Sequence, residues 1–205
     1  GDPFRADMTF SISKSFLSTC AGLAWDRGIL SDLDEPVGQS VHDGGYDSEH
    51  NAQISWDHSL RQISEWDGTL WEKHHSAATP DDKMLEPVTP GTRYEYNDTR
   101  VNRFALSLLR KWKRPLPEVL GEEIMRPIGA SDSWYWHGYA NSCVDIDGHR
   151  VQSVSGGGHW GGGMFISAYD QARFGLLSLH EGAWDGKQLL SEEWVQMAKT
   201  PTALR

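Results

Sequence analysis

The sequence predicts an α+β fold in which helices dominate and the antiparallel sheet is small. Three observations carry that expectation. Apolar residues recur at helical spacing over residues 10–27 and 97–112. Only one stretch, Cys143 to Val151 across Asp147-Gly148, reads clearly as a pair of strands. A chain of 205 residues with 38% hydrophobic content can bury a real core, enough for one domain or one domain with a sizeable excursion.

The first helix follows from Phe16, Leu17, Cys20, Leu23 and Ala24, with Gly28 as its stop. Small Ser18, Ala21 and Gly22 admit close neighbours, so this helix is expected to be central and buried. Residues 29–37 read as an irregular connection and the Gly- and Asp-rich residues 38–51 as a surface loop. Ser55 can cap a short helix carrying Leu60, Ile63 and Trp66, and Asp67-Gly68 turns the chain. Residues 71–90 hold charges, His74-His75 and three prolines without periodicity, which reads as a long loop of the kind that borders sites.

Asn97, Asp98 or Thr99 can cap the next helix, whose register is set by Val101, Phe104, Ala105, Leu108, Leu109 and Trp112. Pro117 fits the first turn of a helix ending near Met125. Ser167 with Asp170 caps a helix through Phe174 and Leu177, and Ser191 starts a last one containing Trp194, Val195 and Met197. The run Gly156 to Gly163 has no following Lys-Ser/Thr and no Gly-x-Gly-x-x-Gly spacing set directly after a strand, and makes a poor phosphate loop.

A formal charge of -10 argues against nucleic acid or an anionic membrane surface as the main partner. The basic run Arg110 to Arg114 sits at a helix end, where cations suit the macrodipole. No apolar run approaches the roughly 18 residues of a membrane span. Two widely separated cysteines do not make a disulfide framework. The chain begins with Gly rather than Met, which leaves room for a removed leader, so cytoplasm, periplasm and exterior all stay open as compartments of a soluble protein. Nine histidines raise the question of a metal, but no His-x-x-x-His or Cys-x-x-Cys spacing answers it. Adjacent His74-His75 read as solvated, and neither a metal nor any other cofactor is expected.

Phe10-Ser11-Ile12-Ser13-Lys14 holds a Ser-x-x-Lys element at the start of the first helix. On a helix, Ser11 and Lys14 lie one turn apart on one side, near enough for the amine to act on the hydroxyl. A serine hydroxyl is a poor nucleophile until a base takes its proton, and an amine serves as that base only in its neutral form.

Pro90-Gly91-Thr92-Arg93-Tyr94-Glu95-Tyr96-Asn97-Asp98 resembles the Pro-Gly-Thr … Tyr-x-Asn element of the class C β-lactamase-like serine hydrolases. That group holds penicillin-binding enzymes, D-amino-acid peptidases and several esterases. Ser11-Ile12-Ser13-Lys14 then resembles its nucleophile motif. Residues 28–37, residues 54–68, and Gly161-Gly162-Gly163-Met164 through Leu190 are similar to its later turns and helices in the same order, so the resemblance covers nearly the whole chain. It implies a β-lactamase/penicillin-binding-like fold and a small ester or amide substrate. It also implies an acyl-enzyme on Ser11, with Lys14 and Tyr96 sharing the proton traffic. Family members carry strands before the nucleophile helix and after the last helix here. The expectation is therefore one domain over residues 1–205, incomplete at both ends, with self-association through an incomplete sheet.

Two departures stand beside the resemblance. Asp98 takes the place of the family's Asn; an ionised carboxylate only accepts, so its role is either a helix cap or a partner of Lys14. The third motif, Lys-Thr-Gly or His-x-Gly on a strand, is not evident. Lys199-Thr200-Pro201 lacks the glycine, and His159-Trp160-Gly161 fits in letters while its neighbours match an earlier glycine turn. Asp98, His159 and Trp160 are candidates for binding or orienting substrate, and Trp134, Tyr135 and Trp136, with Trp160 again, for either an aromatic cleft or core. The alternative to a hydrolase is a catalytically inactive relative that binds peptides or cell-wall fragments.

Overall fold

The computed structural model describes residues 2–78, 86–157 and 162–202. The chain forms two compact units, one of residues 1–30 with 112–201 and the other of residues 31–111 with 202–205.

The first unit opens with strand β1 (Ala6–Met8), a 3-10 turn over Phe10–Ile12 and helix α1 (Ser13–Asp26). Phe16, Cys20, Ala21 and Ala24 of α1 are fully buried, as its apolar periodicity requires. The helix stops where Gly28 takes a left-handed φ of 69° and its N–H returns to the Trp25 carbonyl.

The second unit begins with connections that carry only short 3-10 turns, among them Val37–Gln39 and Asn51–Gln53. Helix α2 (Trp56–Leu60) is closed by a capping box: Ser55 Oγ accepts from His58 N, and His58 Nδ1 accepts from Ser55 N. Strands β2 (Thr69–Leu70) and β3 (Lys73–His74) then pair as a hairpin, followed by a 3-10 turn over His75–Ala78. This corrects the long-loop expectation for its first part. Trp71 and Glu72, at φ 51° and 65°, make the tight turn without the Asn-Gly or Asp-Gly that would have announced it.

Helix α3 (Asp98–Trp112) is capped by Asn97, whose Oδ1 accepts from Arg100 N at 3.0 Å. Phe104 meets Trp56 edge to face at 6.3 Å, while Ala105, Leu108 and Leu109 are buried beside it in sequence. Arg103 lies over the Tyr46 ring and pairs with Asp43, which also takes Arg110. Asp43, in the stretch read as a surface loop, thus pairs with the buried Arg103 and ties residues 38–51 to α3.

The first unit resumes with α4 (Leu116–Leu120), which runs on as a π turn over Gly121–Met125. Strand β4 (Tyr135–His137) precedes the hairpin of β5 (Cys143–Ile146) and β6 (His149–Gln152), turned at Asp147-Gly148 as the sequence indicates. Next come β7 (Gly163–Ser167), α5 (Ala168–Leu179), the short hairpin β8 (Ala183–Trp184) and β9 (Lys187–Gln188), and α6 (Glu192–Lys199). Ser167 and Ser191 cap α5 and α6 through the Asp170 and Trp194 amides.

Among the described residues the main sheet has three antiparallel strands in the order β1-β7-β4, with Met8 and Tyr135 both opposite Phe165. Helix α1 packs against α4 and α6, and the Phe16 and Phe174 rings meet at 4.2 Å. Gly22 sets the α1–α6 approach, because a methyl there would lie 2.5 Å from the Trp194 ring. Both cysteines are free thiols; burial pushes the Cys20 thiol up, which keeps it protonated and inert.

Candidate active site

The Ser-x-x-Lys turn is held to the main sheet by its own flanks. Thr9 gives both its N–H and its hydroxyl to the Met164 carbonyl, each at 3.0 Å, and Met164 N donates to Ser13 Oγ at 2.9 Å. The turn and strand β7 therefore share one ladder, and Ser13, fully buried, completes it. Phe10 enters the turn at φ 48°, an uncommon conformation for a side chain of its size.

Within this frame Lys14 Nζ donates to Ser11 Oγ at 3.0 Å and to the Gly156 carbonyl at 3.0 Å. Ser11 lies in the 3-10 turn and Lys14 in the first turn of α1, so the pair is built across a helix start. Both side chains are half-buried, reachable from solvent yet fixed. A carbonyl only accepts, so Gly156 commits one Lys14 N–H whatever the amine's charge.

The carbonyl of Gly156 is itself positioned by Ser155, which is fully buried. Ser155 Oγ accepts from Gly157 N and pairs with Tyr139 Oη, while its carbonyl takes the Trp136 indole N–H at 2.8 Å. Sequence reasoning missed this part. The only signal was the glycine run, and the reason for Gly157 is steric: at φ 86°, a methyl would sit 1.8 Å from the Phe10 carbonyl oxygen. Replacing Gly157 by Ala is accordingly expected to destabilise the protein by about 1–3 kcal/mol, seen as a lower urea midpoint. An unchanged midpoint would mean that the turn relaxes freely.

The aromatic candidates separate in space. Trp136 is core, Trp134 lies over Gly121, and Tyr135 is exposed and stacked on Phe165 at 4.6 Å. They do not line one cleft. His159 and Trp160 lie outside the described residues. Lys199, the decoy lysine, ends α6 and pairs with Glu181 at 2.6 Å.

In the second unit Tyr96 is 42% exposed and Asp98 is buried at the first position of α3. Asn97, not Asp98, supplies the cap, and its Nδ2 also donates to the His75 carbonyl at 2.8 Å. The tract before it is anchored by Glu65, fully buried, which takes two bonds from Arg93 and two from Arg100. Burial alone would raise the Glu65 carboxyl, but the Arg93 hydrogen bonds and the Arg100 and Arg93 charges outweigh it and hold it below its ordinary range. His75 is buried rather than solvated, and burial, Arg100 and His74 hold it below its usual value against the pull of Asp67.

An antiparallel sheet tied to a helix-borne serine and lysine is the arrangement of the β-lactamase/penicillin-binding fold. The chain belongs to the beta-lactamase family, whose model matches residues 8–205. A search of curated proteins gave no match. Among solved structures, it is similar to an octameric penicillin-binding protein homologue from Pyrococcus abyssi, with TM-score 0.67 and 19% identity over 98% of this chain and 50% of that one. It is similar also to a beta-lactamase/D-alanine carboxypeptidase from Pseudomonas syringae, with TM-score 0.63 and 16% identity over 95% of this chain and 56% of that one. A beta-lactamase from Mycobacterium bovis gives TM-score 0.60 and 20% identity over 98% and 55%. The chain thus spans about half the length of the structures it matches. Identities this low establish the fold alone. No helix among the described residues is long and apolar enough to cross a membrane.

Proposed function

We propose that this chain carries the nucleophile of a serine hydrolase that cleaves ester or amide bonds through an acyl-enzyme on Ser11. The observation that supports this most directly is the 3.0 Å contact between Lys14 Nζ and Ser11 Oγ in a chain of the beta-lactamase family. In the reaction, Ser11 Oγ bonds to the carbonyl carbon while its proton passes to a neutral Lys14 amine. The proton then goes to the leaving alcohol or amine as its bond to carbon breaks. Tyr96, assigned by its place in the Tyr-Asn-Asp tract, shares this transfer, and water afterwards attacks the acyl carbon and releases the acid. Asp98, His159 and Trp160 are assigned to binding or orienting substrate.

Intact-mass analysis after a fluorophosphonate or benzylpenicillin tests the reading. The expected result is one adduct on the native chain, located at Ser11 and absent from Ser11→Ala. An adduct that survives Ser11→Ala would refute the assignment, and no adduct with either probe would favour the binding protein that Asp98 suggests. Self-association belongs to the same proposal, since one relative is described as octameric; light scattering reads it directly.

A further inference from the structure

We propose that Asp67, His74 and His75 form a binding site for a divalent transition metal of the zinc class, separate from the chemistry assigned to Ser11. One ligand atom from each of the three lies within 4.8 Å of the others. Zinc holds imidazole nitrogen and carboxylate oxygen at about 2.0–2.2 Å in a tetrahedron, which places ligand atoms roughly 3.3–3.6 Å apart. Asp67 Oδ1 and His75 Nδ1 are already 3.3 Å apart. Closing the set round one ion requires the half-buried His74 side chain to rotate and give up its Ser76 contact.

The backbone that carries these groups is built rather than loose. Asn51, buried, clamps Asp67 from both sides: its Oδ1 accepts from Asp67 N at 3.0 Å and its Nδ2 donates to Asp67 O at 2.8 Å. The β2–β3 hairpin fixes His74 opposite Thr69, and His75 N donates to Gly68 O at 3.0 Å. Asn97 holds the His75 carbonyl. His74 Nδ1 accepts from Ser76 N at 3.3 Å and lies 2.8 Å from Ser76 Oγ, which holds the ring beside His75. Gly68 N–H donates to His75 Nδ1 at 3.3 Å, a long bond that an ion on that nitrogen would displace. The opposing charge is Arg100, and it is neutralised by Glu65 at 3.2 Å and Glu95 at 2.6 Å.

Two imidazoles and one carboxylate leave the fourth position of a tetrahedron open. Helical-spacing motifs do not find this set, because a hairpin turn rather than a helix face brings residue 67 to residues 74 and 75. Ligation at His75 would also brace Asn97, and so the tract that carries Tyr96.

The test uses the chelator-stripped chain, titrated with Zn²⁺ by calorimetry and with Co²⁺ by visible absorption. One equivalent of each is expected, with a rise in melting temperature. His74→Ala and Asp67→Asn, which change part-exposed side chains, should each weaken Zn²⁺ by at least about tenfold and lose the melting shift. Ser11→Ala should bind as the native chain does, which keeps the two proposals distinguishable. Absence of saturable binding, or binding undiminished in both His74→Ala and Asp67→Asn, overturns the site.

Discussion

Lys14→Met is expected to slow acylation of Ser11 by a fluorophosphonate by about 10²–10⁴-fold, the usual range for a lost general base. The hydroxyl stays in place, so the effect separates activation of Ser11 from its mere presence. Lys14→Arg sharpens the test. Arginine keeps a positive charge and can still donate to Ser11 and Gly156, but it cannot give up its proton in a protein. A base role therefore predicts that both variants are slow. Recovery in Lys14→Arg would show that Lys14 only anchors the turn. Stopped-flow or time-resolved mass measurement of adduct formation reads the rate, and a melting curve confirms that each variant is folded.

Glu65→Ala is expected to cost about 3–5 kcal/mol, the largest stability loss from one substitution in the second unit. The carboxylate is fully buried, and its removal leaves Arg100, only 5% exposed, with Glu95 as its remaining acid partner. A loss below about 1 kcal/mol in urea denaturation would place the pair with ordinary surface bridges. The same group predicts a pH response. Its carboxyl is held below the ordinary value of 4.5 in the folded state. Its contribution is therefore fully present above that value and is lost as pH falls from about 4.5 through the folded value. Asp43, lowered in the same way by Arg103 and Arg110 against its burial, adds to the loss. Glu65→Gln should flatten this acid limb, and a limb unchanged in that variant would assign it elsewhere.

The parts of the fold that sequence made legible are those with a local cause. Apolar period announced α1 and α3, serine caps announced α2, α5 and α6, and Asp147-Gly148 announced the β5–β6 hairpin. The β2–β3 hairpin was hidden because Trp71 and Glu72 adopt left-handed backbone without the residues that favour it. At the site, Ser11 and Lys14 are four positions of sequence and could be read as a pair. Gly156, more than a hundred residues on, reaches Lys14 through its carbonyl, and a main-chain atom leaves no mark in side-chain chemistry. Glu65 and Asn51 were invisible for a related reason: their burial depends on long-range partners that no local pattern encodes.

Met164, with its carbonyl on Thr9 and its N–H on Ser13, has a consequence for how the protein opens. Hydrogen exchange at that amide requires release of a side chain from α1, so the start of β7 cannot fray ahead of the nucleophile turn. Strand and turn behave as one cooperative segment, and solvent labelling of the strand reports the integrity of the residue pair beside it.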